Sequence, residues 1–381
     1  MKNVLSLFDG ISGTQVALDS LGVKVGKYYA SEIDKFPISI TQKNYPNTIQ
    51  LGSVTDWQDW DIDWSSIDLV VGGFPCQSWS VAGLGLGDKD KRGMLFWTML
   101  DVMKKVLANN PQAKFLMENV RMKKEFEDYI TFHTEEALGK VNKHLINSAL
   151  VSAQNRKRFY WTNIDGIEQP EDQGLVLADI LMDGHVDRDK SYCLDANYFK
   201  GGNPKSYFEK GRRQLVFNRP CELKDFDSKA ECHHVATATD INGHDSIKRV
   251  YADSGKSPTL NTMSGGNREP KVLIVPEATK KGYTEIEDGD CFDATFPTSK
   301  TRRGRNMKFK SNCLTAANYE YMRYEHPTYR KLRPCECEAL QTFPIGYTEG
   351  ISNSQRYKCL GNSFTVSVIS HILSYAFRSN I

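Results

Sequence analysis

The first half of the chain alternates short apolar runs with stretches whose apolar positions recur every three or four residues. Val4–Phe8 reads as a strand bounded by a glycine-bearing turn, Gly10–Gly13, and Thr14–Leu21 follows with helical spacing. Lys27–Ser31 is a second strand and Lys35–Lys43 a second helix. Ile67–Val71 is a nearly continuous apolar run closed by Gly72 and Gly73, the pattern of a buried strand. A helix is expected over Phe96–Leu107 and a further strand over Phe115–Met117. Strands alternating with helices predict an α/β protein with a doubly wound, mixed but mainly parallel sheet. Ligands of such sheets bind beyond the carboxyl ends of the strands, where the segments around Gly10, Pro75 and Glu118 fall.

From Ile164 to Pro327 the pattern becomes turn-rich, polar and dotted with aromatics, which predicts a smaller β-rich domain. A weak repeat runs through it: Ser191–Tyr198 is echoed by Ser311–Tyr319 and, more loosely, by Ser257–Thr262. These copies are too few and too far apart for a solenoid. Helical signals return after Tyr329, and Ser363–Arg378 reads as an amphipathic helix closing onto the first domain. The expected division is therefore 1–163, 164–327, and a returning segment 328–381.

Composition adds little to this until its distribution is considered. The apolar share of 40% and charged share of 25% are those of an ordinary globular protein. No apolar run approaches the roughly 20 residues of a membrane span, and the N-terminus runs straight into a strand, so neither span nor signal peptide is expected and the cytoplasm is. Nine cysteines cannot all pair internally and are too sparse for a disulfide framework, which favours free thiols. Cys232, His233 and His234 with Cys221 fit no common zinc spacing, so no metal is predicted. The net charge is only +2, yet Lys210–Arg213 and the run containing Arg302, Arg303 and Arg305 are locally basic. They could face phosphates or simply be solvated.

Three segments carry candidate chemistry. Cys76 follows a buried strand through Gly72, Gly73 and Pro75, where a thiolate would be an effective nucleophile and a neutral thiol a small core residue. Gly83, Gly85, Gly87 and Gly93 follow it, as in a loop able to close over a substrate. Glu118 ends another strand, placed either to cap a helix or, with a raised pKa, to donate a proton. Gln154, Arg156 and Arg158 alternate, so a strand would put them on one face, toward a phosphate, a base edge or surface partners. The turn Phe8–Gly13, with Glu32 after the second strand, suits an adenosine-containing ligand.

The ordered set Phe8-Asp9-Gly10, Glu32, Pro75-Cys76-Gln77, Glu118-Asn119-Val120, Gln154/Arg156/Arg158, Arg330 to Pro344, and Gly361-Asn362-Ser363 resembles the DNA (cytosine-5)-methyltransferases. The likeness covers Val4 to about Ile372. The first motif is similar to the mammalian de novo branch, and the central region to solitary bacterial or phage enzymes. The resemblance implies the S-adenosylmethionine-dependent methyltransferase fold with a target-recognition domain, S-adenosylmethionine as methyl donor, and double-stranded DNA as partner of a monomeric enzyme. It assigns Cys76, Glu118, Arg156 and Arg158 to catalysis, with Cys76 attacking cytosine carbon 6 and Glu118 protonating nitrogen 3. Phe8, Asp9, Gly10, Ser12, Gly13, Glu32, Ile33, Ser53, Val54, Pro75, Asn362 and Ser363 are implied for the cofactor. Gln77, Ser80, Gln154, Arg302, Arg303 and Arg305 are expected to contact DNA, as are loops around Asn197, Asn267 and Asn318. Ser12 stands where relatives carry a second glycine, Ser53 where they carry an adenine-reading aspartate, and Arg333 and Cys335 replace Thr and Arg. The alternatives are an RNA cytosine methyltransferase on the same scaffold and a catalytically silent DNA-binding relative. The sequence is silent on the recognised bases and on any companion restriction nuclease.

Overall fold

Strand β1 (Asn3–Leu7) lies inside a seven-stranded sheet, flanked on both sides by parallel strands, β2 (Lys27–Ser31) and β4 (Ile67–Gly72). The computed structural model describes residues 3–75, 93–226 and 329–377, and between them 234–237, 244, 248–251, 271–272, 274–276, 280–285, 290–293, 306–308 and 321–323. The sheet order is β3-β2-β1-β4-β5-β7-β6, with β3 at Ile49–Gln50, β5 at Lys114–Val120, β6 at Asn142–Asn147 and β7 at Lys157–Thr162. Only β7 runs against its neighbours, antiparallel to both β5 and β6. The expected mixed, mainly parallel α/β sheet is what forms.

Period-two alternation along the strands explains the two faces. Leu5, Leu7, Val70, Phe115 and Met117 pack on Phe96, Met99, Val102 and Met103 of helix α3 (Met94–Asn109). Val4, Leu69, Val71 and Leu116 point the other way, into a core shared with Val16 and Ala17 of α1 (Gly13–Ser20) and Ile40 of α2 (Lys35–Asn44). The helix Val366–Phe377 closes this second face with Val368, Ile369, Ile372 and Leu373, as its amphipathic pattern predicts. Each such side chain contributes roughly 1.5–3 kcal/mol by leaving water. Helix α4 (Lys124–Leu138) buries only Ile130 and Thr134, and its first turn carries Glu125 and Glu127, favourable at a helix N-terminus.

The chain separates into two compact units, residues 1–220 with 330–381, and residues 221–329. Residues 164–220, expected in the recognition domain, thus lie in the larger unit. They are tied to the returning segment: Arg330 bridges Asp183 at 2.8 Å and Glu336 at 2.7 Å, Lys331 donates to the Phe199 carbonyl, and the Tyr198 hydroxyl accepts from Leu332. In the smaller unit the described residues form short strands, such as Ile274–Pro276 with Tyr283–Glu285 and Cys291–Asp293 between Asn306–Met307 and Tyr321–Arg323. Among the described residues no helix is long and apolar enough to cross a membrane.

Candidate active site

The turn after β1 is conformationally demanding. Phe8, Gly10 and Ser12 have φ of 54°, 60° and 57°, the left-handed region. For the two residues with side chains this costs about 1–2 kcal/mol each, so the turn must be held by its contacts. Phe8 therefore leaves the strand in which the sequence put it. Buried Asp9 is the centre of the clamp: its carboxylate accepts the Tyr28 hydroxyl at 2.8 Å and the Ser12 hydroxyl. Thr41 lies 3.1 Å from the Ser12 hydroxyl, and Tyr347 donates to the Ile11 carbonyl at 2.7 Å. Burial pushes the Asp9 carboxyl up to about 6, against hydrogen bonds from Ser12, Ser6 and Tyr28. Gly13 opens α1, and a side chain there would meet Phe343, Ser363 and Phe364 at 3.4–3.7 Å.

Glu32 follows β2 and draws this turn to the start of α2. Its carboxylate accepts the Gly10 amide at 3.0 Å and the Ile33 and Asp34 amides at 2.8 Å. Asp34 caps α2 through the Phe36 amide and pairs with Lys358 at 2.8 Å. Beside them the Ile33 side chain is 77% exposed, an apolar surface left open at this end of the sheet. Ser53 caps the short helix Val54–Asp59, and Val54 is buried.

Beyond β4 and β5 the backbone comes close to side chains. A side chain on Gly73 would fall 3.0 Å from Glu118 Oε2 and 3.3 Å from the Phe364 ring. The Asn119 amide donates to the Phe74 carbonyl at 3.1 Å and holds the chain just ahead of Pro75. Glu118 Oε1 is 3.0 Å from Arg158 Nε, and both side chains are largely buried. The pair spans the antiparallel register in which Val120 faces Arg158 and Glu118 faces Tyr160.

Arg156 is spent mainly on backbone, with the Cys193 sulfur as a further acceptor at 3.6 Å. Its guanidinium donates to the carbonyls of Leu194 at 2.9 Å, Ser363 at 2.8 Å and Gly361 at 3.3–3.4 Å. Burial and the neighbouring Arg158 lower its pKa. Gln154 is fully buried: its oxygen accepts the Leu194 amide at 2.7 Å and its amide donates to Leu340 and Gln341. Gly361 backs onto the same segment so closely that a side chain would lie 2.3 Å from the Asp195 carbonyl. Arg156, Gln154 and Gly361 together clamp residues 191–196 against the C-terminal end of the helix Asn353–Asn362 and Ser363.

Residues 2–378 match the family of C-5 cytosine-specific DNA methylases. The chain belongs to that family. It is 29% identical to the orphan methyltransferase M.SPBetaI of Bacillus phage SPbeta, over 97% of this chain and 96% of that one. It is 35% identical to the type II methyltransferase M1.ScrFI of Lactococcus lactis subsp. cremoris, over 73% of this chain and 79% of the relative. Among solved structures it is similar to a mutant Spodoptera frugiperda DNMT2 (TM-score 0.53, 17% identity, 99% and 100% of the two chains). A putative DNA modification methyltransferase from an E. coli prophage gives a TM-score of 0.50 at 17% identity, over 99% of both chains. At such identities the likeness speaks to the fold.

In this cytosine-5 DNA methyltransferase the structure gathers Phe8, Asp9, Gly10, Ser12, Gly13 and Glu32 at one turn, and Glu118 with Arg158 at the next strand ends. Asn362 is exposed, while Ser363 is nearly buried and turns its carbonyl to Arg156. Gln154, expected at DNA, is instead an internal anchor, because its amide is spent on Leu194, Leu340 and Gln341. Asn197 is exposed next to the clamped segment. Cys76, Gln77, Ser80, Arg302, Arg303 and Arg305 lie outside the described residues, as do Asn267, Asn318, Cys232 and His233. Sequence reasoning missed Phe364, Tyr28, Thr41 and Cys193. Phe364 adjoins a recognised motif and Cys193 sits in the first repeat, but nothing in their residue type marks them.

Proposed function

We propose that this enzyme transfers a methyl group from S-adenosylmethionine to carbon 5 of cytosine in a specific double-stranded DNA sequence, as a monomer in the cytoplasm of a bacterial or phage-infected cell. The observation that carries the reading is the Glu118–Arg158 pair, a carboxylate and a guanidinium 3.0 Å apart at the end of the sheet where the conformationally strained turn also lies. The residues present fit the cofactor. Glu32 keeps one acceptor site on Oε2 for a ribose hydroxyl beyond its three amide contacts, and exposed Ile33 offers an apolar face for adenine. When bound, S-adenosylmethionine supplies an electrophilic methyl group.

Cytosine carbon 5 is a poor nucleophile. Addition of the Cys76 thiolate to carbon 6, with protonation of nitrogen 3 by Glu118, turns it into an enamine carbon able to take the methyl group. A solvent base then takes the carbon 5 proton, Cys76 leaves as thiolate, and nitrogen 3 returns its proton to Glu118, which restores the neutral ring. Arg158 holds the cytosine oxygen, and Arg156 keeps the surrounding backbone in place. The atom attacked is inaccessible in a duplex, so the base is flipped out at a cost of about a few kcal/mol.

The test is transfer from labelled S-adenosylmethionine to unmethylated DNA and, in parallel, to transfer RNA, with products read at base resolution. Label on carbon 5 of DNA cytosines in one sequence context is expected. Label on RNA alone would replace this reading by the RNA one, and label on neither by a binding role.

A further inference from the structure

We propose that Cys193 is a positioning residue that fixes the guanidinium of Arg158 beside the Glu118 carboxylate; this deepens the reading of that pair as the target-base contact and rests on it. Three acceptors meet the three nitrogens of Arg158. Glu118 forms an ion pair with Nε at 3.0 Å, while the Lys157 carbonyl accepts from one terminal nitrogen at 3.0 Å and Cys193 Sγ from the other at 3.8 Å. With one acceptor on each nitrogen, the guanidinium plane has a single orientation. Removing the sulfur leaves one terminal nitrogen without its acceptor and loosens that orientation, although Glu118 and Lys157 still hold the other two.

The thiol is placed there by its neighbours. Ser191 exchanges backbone hydrogen bonds with Ala153 and Asn155, at 2.7 and 2.9 Å. Leu194 is held at its amide by Gln154 and at its carbonyl by Arg156. Asp195 lies against Gly361, where any larger residue would collide with it. With residues on both sides fixed, Cys193 is exposed as a residue while its sulfur faces the guanidinia of Arg156 at 3.6 Å and Arg158 at 3.8 Å. Core packing does not account for a cysteine on this exposed segment whose sulfur is turned toward two arginines. Desolvation raises the Cys193 thiol, but Arg156 and Arg158 outweigh it and hold its pKa below the ordinary value. Because the guanidinium is charged, its contact to the sulfur is charge-assisted whether or not the thiol carries its proton. Its own proton, when present, points at the Leu194 carbonyl at 3.6 Å.

The experiment compares the wild-type chain with Cys193→Ala and Cys193→Ser for kcat, for KM toward DNA and S-adenosylmethionine, and for melting temperature. Once wild-type transfer to DNA is measured, Cys193→Ala is expected to lower kcat about tenfold, as loss of a hydrogen bond to a charged group does. KM for S-adenosylmethionine and the melting temperature should stay put. Cys193→Ser, which keeps an acceptor, should recover most of the loss. Equal kcat in all three proteins would overturn the role. So would a loss that serine does not restore, or one accompanied by equal losses in cofactor binding and melting temperature. Failure of the wild-type chain to methylate DNA would instead sink the underlying reading of the Glu118–Arg158 pair.

Discussion

Glu118 Oε1 and Arg158 Nε lie 3.0 Å apart across the only antiparallel junction that β5 makes, so the proposed acid and its partner are held by the one strand that reverses direction. Reversal brings a side chain from the start of β7 to the end of β5. A parallel strand would present its far end instead. Glu118→Gln keeps an oxygen for Arg158 but gives up the transferable proton. Methyl transfer should fall by about 10²- to 10⁴-fold in kcat while the melting temperature moves little. Retained activity would remove Glu118 from the chemistry.

Asp9 gives a pH dependence with a definite sign. Its carboxyl is raised by burial from 3.8 to about 6, so the folded state binds the proton more tightly than the unfolded one. The charged carboxylate therefore opposes folding above about 6, and that cost disappears as pH falls below about 4. The difference corresponds to roughly 3 kcal/mol. Asp9→Asn should gain stability relative to wild type between pH 4 and 6 and hold a constant advantage above that window. Denaturant melts of both proteins at stepped pH measure it; a difference flat across the whole range would contradict the buried-charge account. The same substitution should weaken cofactor binding, since the Ser12 and Tyr28 hydroxyls lose a charged acceptor.

Gly361 is required by contact and not by backbone angle. An added methyl would overlap the Asp195 carbonyl, which is backbone and cannot swing aside. Gly361→Ala should destabilise the chain by about 1–3 kcal/mol and release the segment 191–196 from Arg156. Thermal melts with hydrogen exchange at Leu194 and Asp195 would show it. Unchanged protection there would mean that the segment is held by other contacts.

The sequence made the alternating architecture, the glycine turn, Glu32 and Glu118 legible because each depends on local pattern: apolar periodicity, a strand end, a turn residue. What it hid depends on partners distant in the chain. Arg156 works through the carbonyls of Leu194, Gly361 and Ser363, and a carbonyl leaves no mark in residue type. Gln154 was expected outward because alternation puts it on the face of Arg158, yet that face is covered by the chain itself. Helix α4 and strand β6 escaped notice because so few of their positions are buried that no clear stripe forms. Ser12 read as a departure from a glycine. The structure shows it in the left-handed conformation that glycine favours, with its hydroxyl bound to Asp9.

Covalent attack by Cys76 is the central claim, and a substrate that cannot lose its carbon 5 substituent tests it most directly. DNA carrying 5-fluorocytosine at the target position, incubated with S-adenosylmethionine, should leave the enzyme joined to DNA through Cys76, visible as a denaturation-resistant conjugate and mapped by mass spectrometry. Cys76→Ser should give none. Methylation of ordinary DNA without any such conjugate, or a conjugate on another residue, would contradict the account.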